Sequence, residues 1–248
     1  MSDTVIRLQQ VFKSFDLNEV LRGVDLEIER GETVAILGAS GSGKSVTLKT
    51  INGLIPPDSG RVEVFGQPVT ELDERALIPI RRRISYLFQS GALFDSMTVF
   101  DNIAFPLREH LFLGPVELRE RVQGLLSMVD LDGVDDLYPS VLSGGMRKRV
   151  AVARALALEP EVILYDEPST GLDPVTSRTI ADLIIDLDRR LGVTSVVVTH
   201  DIPLVMRVAQ RAVFLDGGLV VFSGTLNEAV DQAPDVVREF FLAGGAHA

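Results

Sequence analysis

The chain has 248 residues, 46% of them hydrophobic. That is enough for one large α/β domain, or a core domain with a smaller inserted lobe, and it excludes a disordered chain. A formal net charge of −11 argues against a constitutive nucleic-acid binder, which needs a basic face to neutralise phosphates, and the absence of cysteine removes any disulfide framework, thiolate zinc site or cysteine nucleophile.

No apolar run reaches the roughly eighteen residues of a membrane span, and the opening Met-Ser-Asp-Thr-Val-Ile-Arg-Leu-Gln-Gln lacks the apolar core of a signal peptide. The expectation is a chain soluble by itself, with any membrane role coming through a partner. Residues 5–29 alternate in places (Val24, Leu26, Ile28) and predict short antiparallel strands. Residues 33–37 form an apolar run that ends in a glycine-rich turn. A helix is expected from Lys44 to about Leu54, closed by Ile55-Pro56-Pro57-Asp58-Ser59-Gly60. Strands are expected at 61–65 and 83–88, and residues 97–142 read as mostly helical, punctuated by Pro106, Gly114-Pro115 and Gly133.

From there a helix at 144–158, a strand at 161–165, a helix near 175–191 and a strand at 193–199 alternate. Such alternation predicts βαβ units and a parallel sheet covered on both faces. Residues 212–215 and 219–222 flank Asp216-Gly217-Gly218, a hairpin signal, and Thr225 with Glu228 forms a capping box opening a C-terminal helix. The apolar face of Asp235-Val236-Val237-Arg238-Glu239-Phe240-Phe241-Leu242 has two possible neighbours, this domain or a paired subunit. Gly244-Gly245-Ala246-His247-Ala248 reads as a mobile tail.

Gly38-Ala39-Ser40-Gly41-Ser42-Gly43-Lys44-Ser45 matches G-x-x-x-x-G-K-[ST] between a strand and a helix, as that motif requires. Loop N–H groups and the helix N-terminus would bind phosphate oxygens; Lys44 would reach the β- and γ-phosphates, and the Ser45 hydroxyl would hold Mg²⁺. Farther on, an apolar strand ends in Asp166-Glu167. Successive strand side chains point to opposite faces, so the two acids take different tasks: Asp166 to hold Mg²⁺, Glu167 to polarise an attacking water. A third feature is Leu142-Ser143-Gly144-Gly145-Met146, where Ser143 is a natural N-cap and two glycines leave N–H groups free at a helix start.

These stations together resemble the ATP-binding-cassette (ABC) family, along nearly the whole chain. The resemblance implies an α/β P-loop NTPase with a parallel-sheet core, an antiparallel β lobe and an inserted helical lobe. Residues 1–248 would be one ABC ATPase domain: about 1–90 and 160–223 the nucleotide-binding core with its β lobe, about 91–159 the helical lobe, about 224–248 a C-terminal helical extension. It implies that Ser143, Gly144 and Gly145 of one subunit cap the γ-phosphate held by Gly38, Ser40, Gly41, Gly43, Lys44, Ser45 and Val46 of another. Met146 stands where a glutamine is commoner, which removes the usual amide and keeps the serine. Phe15 matches the aromatic that stacks on adenine, although Phe12 or Phe15 as plain core residues is the alternative; phenylalanine suffices, since stacking needs only a π face. Gln89 matches the glutamine that touches Mg²⁺, His200 the histidine that contacts the γ-phosphate, and Asp173 the loop that crosses the dimer seam.

Leu87-Phe88-Gln89-Ser90-Gly91-Ala92-Leu93-Phe94-Asp95-Ser96-Met97-Thr98-Val99 and the stretch on to His110 look like the ATPase subunits of MCE-associated lipid transporters. That resemblance implies permease subunits, an MCE-type lipid-binding protein, and a place on the cytoplasmic face of the membrane. Leu93, Phe94, Phe100 and Phe105 then form a groove for a permease helix, or internal packing, or both on different faces. Rival readings are an ABC ATPase acting on DNA or ribosomes, a nucleotide-gated scaffold that scarcely hydrolyses, and a transporter of another substrate. The basic clusters Arg81-Arg82-Arg83 and Arg147-Lys148-Arg149, which a nucleic-acid reading would need, are expected to be solvated helix faces.

Overall fold

The structure, a computed structural model, describes residues 3–245; positions 246–248 of the expected tail and the first two residues lie outside them. Strands β1 (Thr4–Phe15) and β2 (Asn18–Glu29) pair antiparallel over twelve residues each, longer than the short strands expected. Register shifts explain the difference. Between Leu8 and Val11 the pairing slips at Gln10, whose φ is 46° and whose N–H donates to Asp25 Oδ1 at 2.8 Å. Such a bulge breaks the alternation without ending the strand.

Strand β3 (Thr33–Leu37) leads through the glycine loop into α1 (Lys44–Ile51). Strands β4 (Ser59–Val64) and β5 (Gln67–Pro68) complete a four-stranded sheet in the order β2-β1-β4-β5. Helix α2 (Glu74–Arg81) is unanticipated: Pro79 lies inside it and masks the helical pattern, while Asp73 caps it through the Ala76 N–H at 2.8 Å. After β6 (Ile84–Leu87) come α3 (Val99–His110) and α4 (Pro115–Met128). The helical expectation for 97–142 thus holds to Met128 and then gives way to irregular chain with one 3₁₀ turn, Pro139–Val141.

Next in the chain are α5 (Gly144–Ala155), β7 (Val162–Asp166), α6 (Pro174–Leu191), β8 (Thr194–Val198), the unanticipated α7 (Ile202–Val208), β9 (Arg211–Asp216) and β10 (Leu219–Thr225). The expected hairpin is β9–β10, and the Thr225–Glu228 capping box opens α8 (Leu226–Asp231). The single C-terminal helix is two, because the chain turns through Pro234 before α9 (Asp235–Ala243).

The larger sheet has the order β10-β9-β3-β8-β7-β6, parallel except for β10. Its central strands β3, β7 and β8 are buried at every residue, because both faces are covered. Ile36, Leu164, Val196 and Val198 face the antiparallel sheet, with α1 lying between the two sheets. Ile163, Tyr165 and Val197 face the opposite way, onto α3, α5 and α6 through Ile103, Val150 and Ile184. Ala35, Leu37 and Phe214 meet α7 and α9 through Val205, Val237 and Phe241. The apolar face of 235–242 therefore packs on its own domain, and burying Phe241 completely contributes about 2–3 kcal/mol.

The basic clusters are not the solvated faces expected. Arg81 donates to Asn52 O at 3.2 Å and Gly53 O at 2.8 Å. Arg83 lies 3.6 Å from the Phe65 ring centroid and pairs with Glu161. Arg147 donates to Leu142 O at 2.7 Å, Arg149 reaches Val129 O and Asp130 O, and Lys148 is buried. Irregular chain at 52–53 and 129–142 has carbonyls with no ladder partner, and long cationic side chains fill that need.

Glu161 also accepts from Arg30 Nη1 at 2.7 Å, so one carboxylate ties the end of β2 to β6. Arg83, and then Arg30, hold its pKa down at about 2 against an ordinary 4.5. A depressed carboxylate stabilises the fold above the unfolded-state pKa and loses that contribution as pH falls from about 4.5 toward 2. The three side chains are 37% to 43% exposed, and screening limits the contribution to about 0.5–1 kcal/mol. Glu161→Gln is expected to lose that amount at pH 7 and to show a flatter stability profile below about pH 4.5. Denaturant unfolding at a series of pH values measures both; identical profiles would remove the bridge from the stability of the fold.

Candidate functional site

Register in the larger sheet sets where the functional loops open. Val198 pairs with Ile36 of β3 on one side and with Asp166 of β7 on the other, while Tyr165 pairs with Leu87 of β6. The loops following β3, β8, β7 and β6 therefore leave one edge of the sheet, at the carboxyl ends of parallel strands, where open α/β sheets bind ligands. A cleft of about 680 Å³ lies there, lined by Phe15, Gly38, Ser40, Gly41, Gly43, Lys44, Ser45, Val46, Gln89, Glu167 and His200 among others. Residues from six separate stretches of the chain meet in it.

The loop after β3 is shaped by glycine. Gly38, Gly41 and Gly43 have φ of 148°, 80° and 102°. A Cβ on Gly38 would stand 2.1 Å from Leu215 O, and one on Gly43 2.9 Å from Val20 O, so neither position accepts a side chain. Lys44 is buried, with Nζ donating to Gly38 O at 2.8 Å and Ala39 O at 3.0 Å. Burial pushes its pKa down, and the carboxylates of Glu167 and Asp166 pull it back up. The Ser42 hydroxyl is buried without a hydrogen-bond partner in the loop, a donor of the kind a phosphate oxygen satisfies. A glycine-built cradle with a buried ammonium and an orphaned hydroxyl fits a nucleoside triphosphate.

Behind the loop, Ser45 Oγ donates to Asp166 Oδ1 and Tyr86 Oη to Asp166 Oδ2, both at 2.7 Å. Burial and then the neighbouring Asp166 raise the Tyr86 pKa, so the phenol stays a donor. Among the described residues no group of three His, Cys, Asp or Glu side chains could hold a metal. The Ser45 hydroxyl and the Asp166 carboxylate are hard oxygen donors, and they suit Mg²⁺, which takes few protein ligands and completes its shell with phosphate oxygens and water. Gln89 lines the same cleft.

Glu167 has φ of 52°, a left-handed conformation disfavoured for glutamate. Its N–H donates to Val198 O at 2.8 Å, and its carboxylate accepts from Thr170 Oγ1 at 3.0 Å and Thr199 Oγ1 at 3.3 Å. His200 Nδ1 stands 3.0 Å from that carboxylate. This carboxylate, largely screened from solvent and held on three sides, can accept a proton from water in the cleft.

Four expected residues stand elsewhere. Ser143, Gly144, Gly145 and Asp173 are absent from the cleft lining. Ser143 caps α5 by accepting from the Met146 N–H at 3.2 Å and is exposed. Asp173 caps α6 and accepts from Val175 and Thr176; the Thr176 hydroxyl, followed by backbone N–H donors, holds its carboxyl below the usual range. The two stations touch each other: a Cβ on Gly145 would stand 2.6 Å from Thr176 Cγ2, and one on Gly144 3.3 Å from Leu172 Cδ2.

Several cleft residues escape the sequence reading. Phe240 of α9 lines the cleft and meets Phe214 edge-on at 5.1 Å between ring centroids. Asn18 and Val20 of β2 also line it. Tyr86, Thr170 and Thr199 belong to the acid network, and only Thr199, adjacent to His200, carried a local signal. Phe15 lines the cleft while Phe12 does not; both are exposed and so neither is a core residue. Of the aromatic segment after Gln89, Leu93 and Phe100 pack on the helical core, whereas Phe94 and Phe105 are exposed and pair at 5.2 Å between ring centroids.

A family model described as ABC transporter matches residues 21–170, more than half of the chain. Among curated proteins the chain is similar to the intermembrane phospholipid transport system ATP-binding protein MlaF of Escherichia coli strain K12. The two are 44% identical over 91% of this chain and 83% of that protein. It is also similar to the methionine import ATP-binding protein MetN of Brucella abortus strain 2308, 38% identical over 90% of this chain and 60% of that protein. Among solved structures, the dimeric post-hydrolysis state of the ATP-binding cassette MJ0796 bound to ADP and Pi superimposes with a TM-score of 0.83. It is 36% identical, covering 89% of this chain and 98% of that one.

The tight approach of Gly145 to Thr176 gives a test within one chain. Gly145→Ala should destabilise the fold by about 1–3 kcal/mol through overpacking. Adding Thr176→Ser removes the clashing methyl and keeps the hydroxyl that bonds Asp173, and should recover most of the loss. Denaturant midpoints decide it, and a Gly145→Ala variant as stable as the parent would show that this contact gives way freely.

Proposed function

We propose that this chain, which belongs to the ABC transporter family as an ATP-hydrolysing subunit, pairs with a second copy of itself around two ATP molecules and so drives phospholipid movement through a membrane permease. One observation carries the pairing. The cleft gathers the glycine cradle, the acids, Gln89 and His200, while the exposed Ser143-capped end of α5 lies outside its lining. A helix N-terminus with free N–H groups binds anions, and a second copy brings that end to the open side of the cleft.

In this reading Phe15 stacks on the base, and the loop N–H groups with Lys44 hold the phosphates. Ser45 and Asp166, with Gln89, would hold Mg²⁺, which when bound neutralises phosphate charge. Glu167 takes a proton from the attacking water, and His200 contacts the γ-phosphate while bonded to Glu167. Ser143, Gly144 and Gly145 of the second copy stabilise negative charge on the terminal phosphate, and Asp173 lies at the seam. ATP favours only the closed pairing, so hydrolysis and phosphate release open it; this differential affinity is what does mechanical work. The dimeric state of the similar MJ0796 cassette with ADP and Pi supports the scheme.

Phospholipid as cargo is supported by the similarity to MlaF, and methionine-type import by the lesser similarity to MetN. Among the described residues no helix is long and apolar enough to cross a membrane. We therefore place the chain at the cytoplasmic face of the membrane, held there by a permease that works with an MCE-type lipid-binding protein. The exposed Phe94–Phe105 pair offers an apolar surface to that permease.

Glu167→Gln should keep ATP binding, lower turnover by about 10²–10⁴ and accumulate an ATP-bound dimer in size-exclusion chromatography. Near-parental turnover would remove Glu167 from the chemistry. Ser143→Arg should abolish ATP-dependent pairing while fluorescent nucleotide still binds the monomer; a normal dimer would overturn the two-chain site. For the cargo, the complex purified from membranes is expected to carry phospholipid by mass spectrometry. A permease complex whose ATPase responds to methionine and not to phospholipid would sink the lipid reading.

A further inference from the structure

Gly144, Gly145 and Lys148 lie three and four residues apart on α5 and so share one face. That face meets the chain after β7, and the two glycines let it approach to contact with Leu172 and Thr176. The approach carries Lys148 inward until the residue is only 7% exposed. Its Nζ donates to Gln89 O and lies 3.4 Å from Glu167 O. A buried ammonium is tolerated only with hydrogen bonds and opposite charge nearby. Both are present: burial lowers the Lys148 pKa, and Glu167 and Asp166 oppose that shift.

Glu167 needs such support. Its left-handed backbone is held at the N–H by Val198 O, and its carbonyl accepts from the Thr170 N–H at 3.3 Å as well as facing Lys148. The same ammonium holds the carbonyl of Gln89, a residue of the neighbouring loop. A neutral side chain of similar length fills the space but cannot donate to both carbonyls, and Lys has three donors to give.

We propose that Lys148 is a positioning residue that clamps the Gln89 and Glu167 backbones together, so that the helix whose end is offered to the partner copy's phosphate also sets the attack geometry in its own chain. The inference rests on the role proposed above for Glu167, and it makes α5 a rigid link between the two ATP sites of a dimer. Movement of the Ser143 end against a partner's nucleotide is passed through Lys148 to the water-activating loop of the same chain.

The test uses the full chain with Lys148→Met and Lys148→Arg. Hydrogen–deuterium exchange on nucleotide-free protein should show residues 86–91 and 166–171 exchanging about tenfold faster in Lys148→Met, with Lys148→Arg restoring most of the protection. Steady-state kinetics should show kcat falling about 10–100-fold in Lys148→Met, with KM within about threefold, as expected when a base is misplaced by an ångström or less. Parental exchange in both segments of Lys148→Met, or unchanged kcat despite faster exchange, overturns the proposal. So does equal impairment of the Arg and Met variants. Should Lys148→Met not fold, Lys148→Gln replaces it and must fall between the parent and an unprotected loop. The exchange readout needs no nucleotide, so its failure is separate from failure of the Glu167 assignment, which Glu167→Gln tests alone.

Discussion

Strand β7 pairs on both sides, with Val198 opposite Asp166 and Leu87 opposite Tyr165. A slip of one residue in either ladder would send Asp166 to the other face and part it from Ser45. The strands are apolar on both faces, and Leu164 and Tyr165 point into two different cores, so no such slip is tolerated. The cleft is thus a consequence of packing deep in the sheet. Ser45, Tyr86, Asp166 and Glu167 are placed within hydrogen-bond reach of one another or of shared partners because three strand ends stand level.

Electrostatics then arranges two ammonium groups around the two acids. Lys44 is fastened by the carbonyls of its own loop and Lys148 by carbonyls of two other loops, and both are desolvated beside Asp166 and Glu167. Neither acid is left as an isolated buried charge. Lys44 belongs to the phosphate-facing wall and Lys148 to the wall shared with α5, so the acids sit between the nucleotide and the helix that reaches toward a second copy.

The peripheral elements serve this centre. Helix α9 packs Val237 and Phe241 on the strands that precede the phosphate loop, and it also sends Phe240 into the cleft wall. Arginines of the two basic clusters cap irregular chain around α2 and α5, which steadies the segments that carry Gln89 and Ser143. Their charge is consumed internally, and a nucleic-acid surface built on them loses its footing.

What was legible in the sequence was local: the glycine loop before Lys44, the acid pair after an apolar strand, the Ser143 cap and the Thr225–Glu228 capping box, each set by a few adjacent residues. The strand–helix alternation also announced a parallel sheet. Bulges in β1, Pro79 inside α2 and the break before α9 were misread because each departs from its period without ending or forbidding the element. The sequence alone therefore determined which chemical groups the protein owns and the local turns that display them. Only the tertiary structure decided that Tyr86, Lys148 and Phe240 join them, and that Ser143 does not, because strand order and the close approach of α5 bring together residues with no shared local pattern.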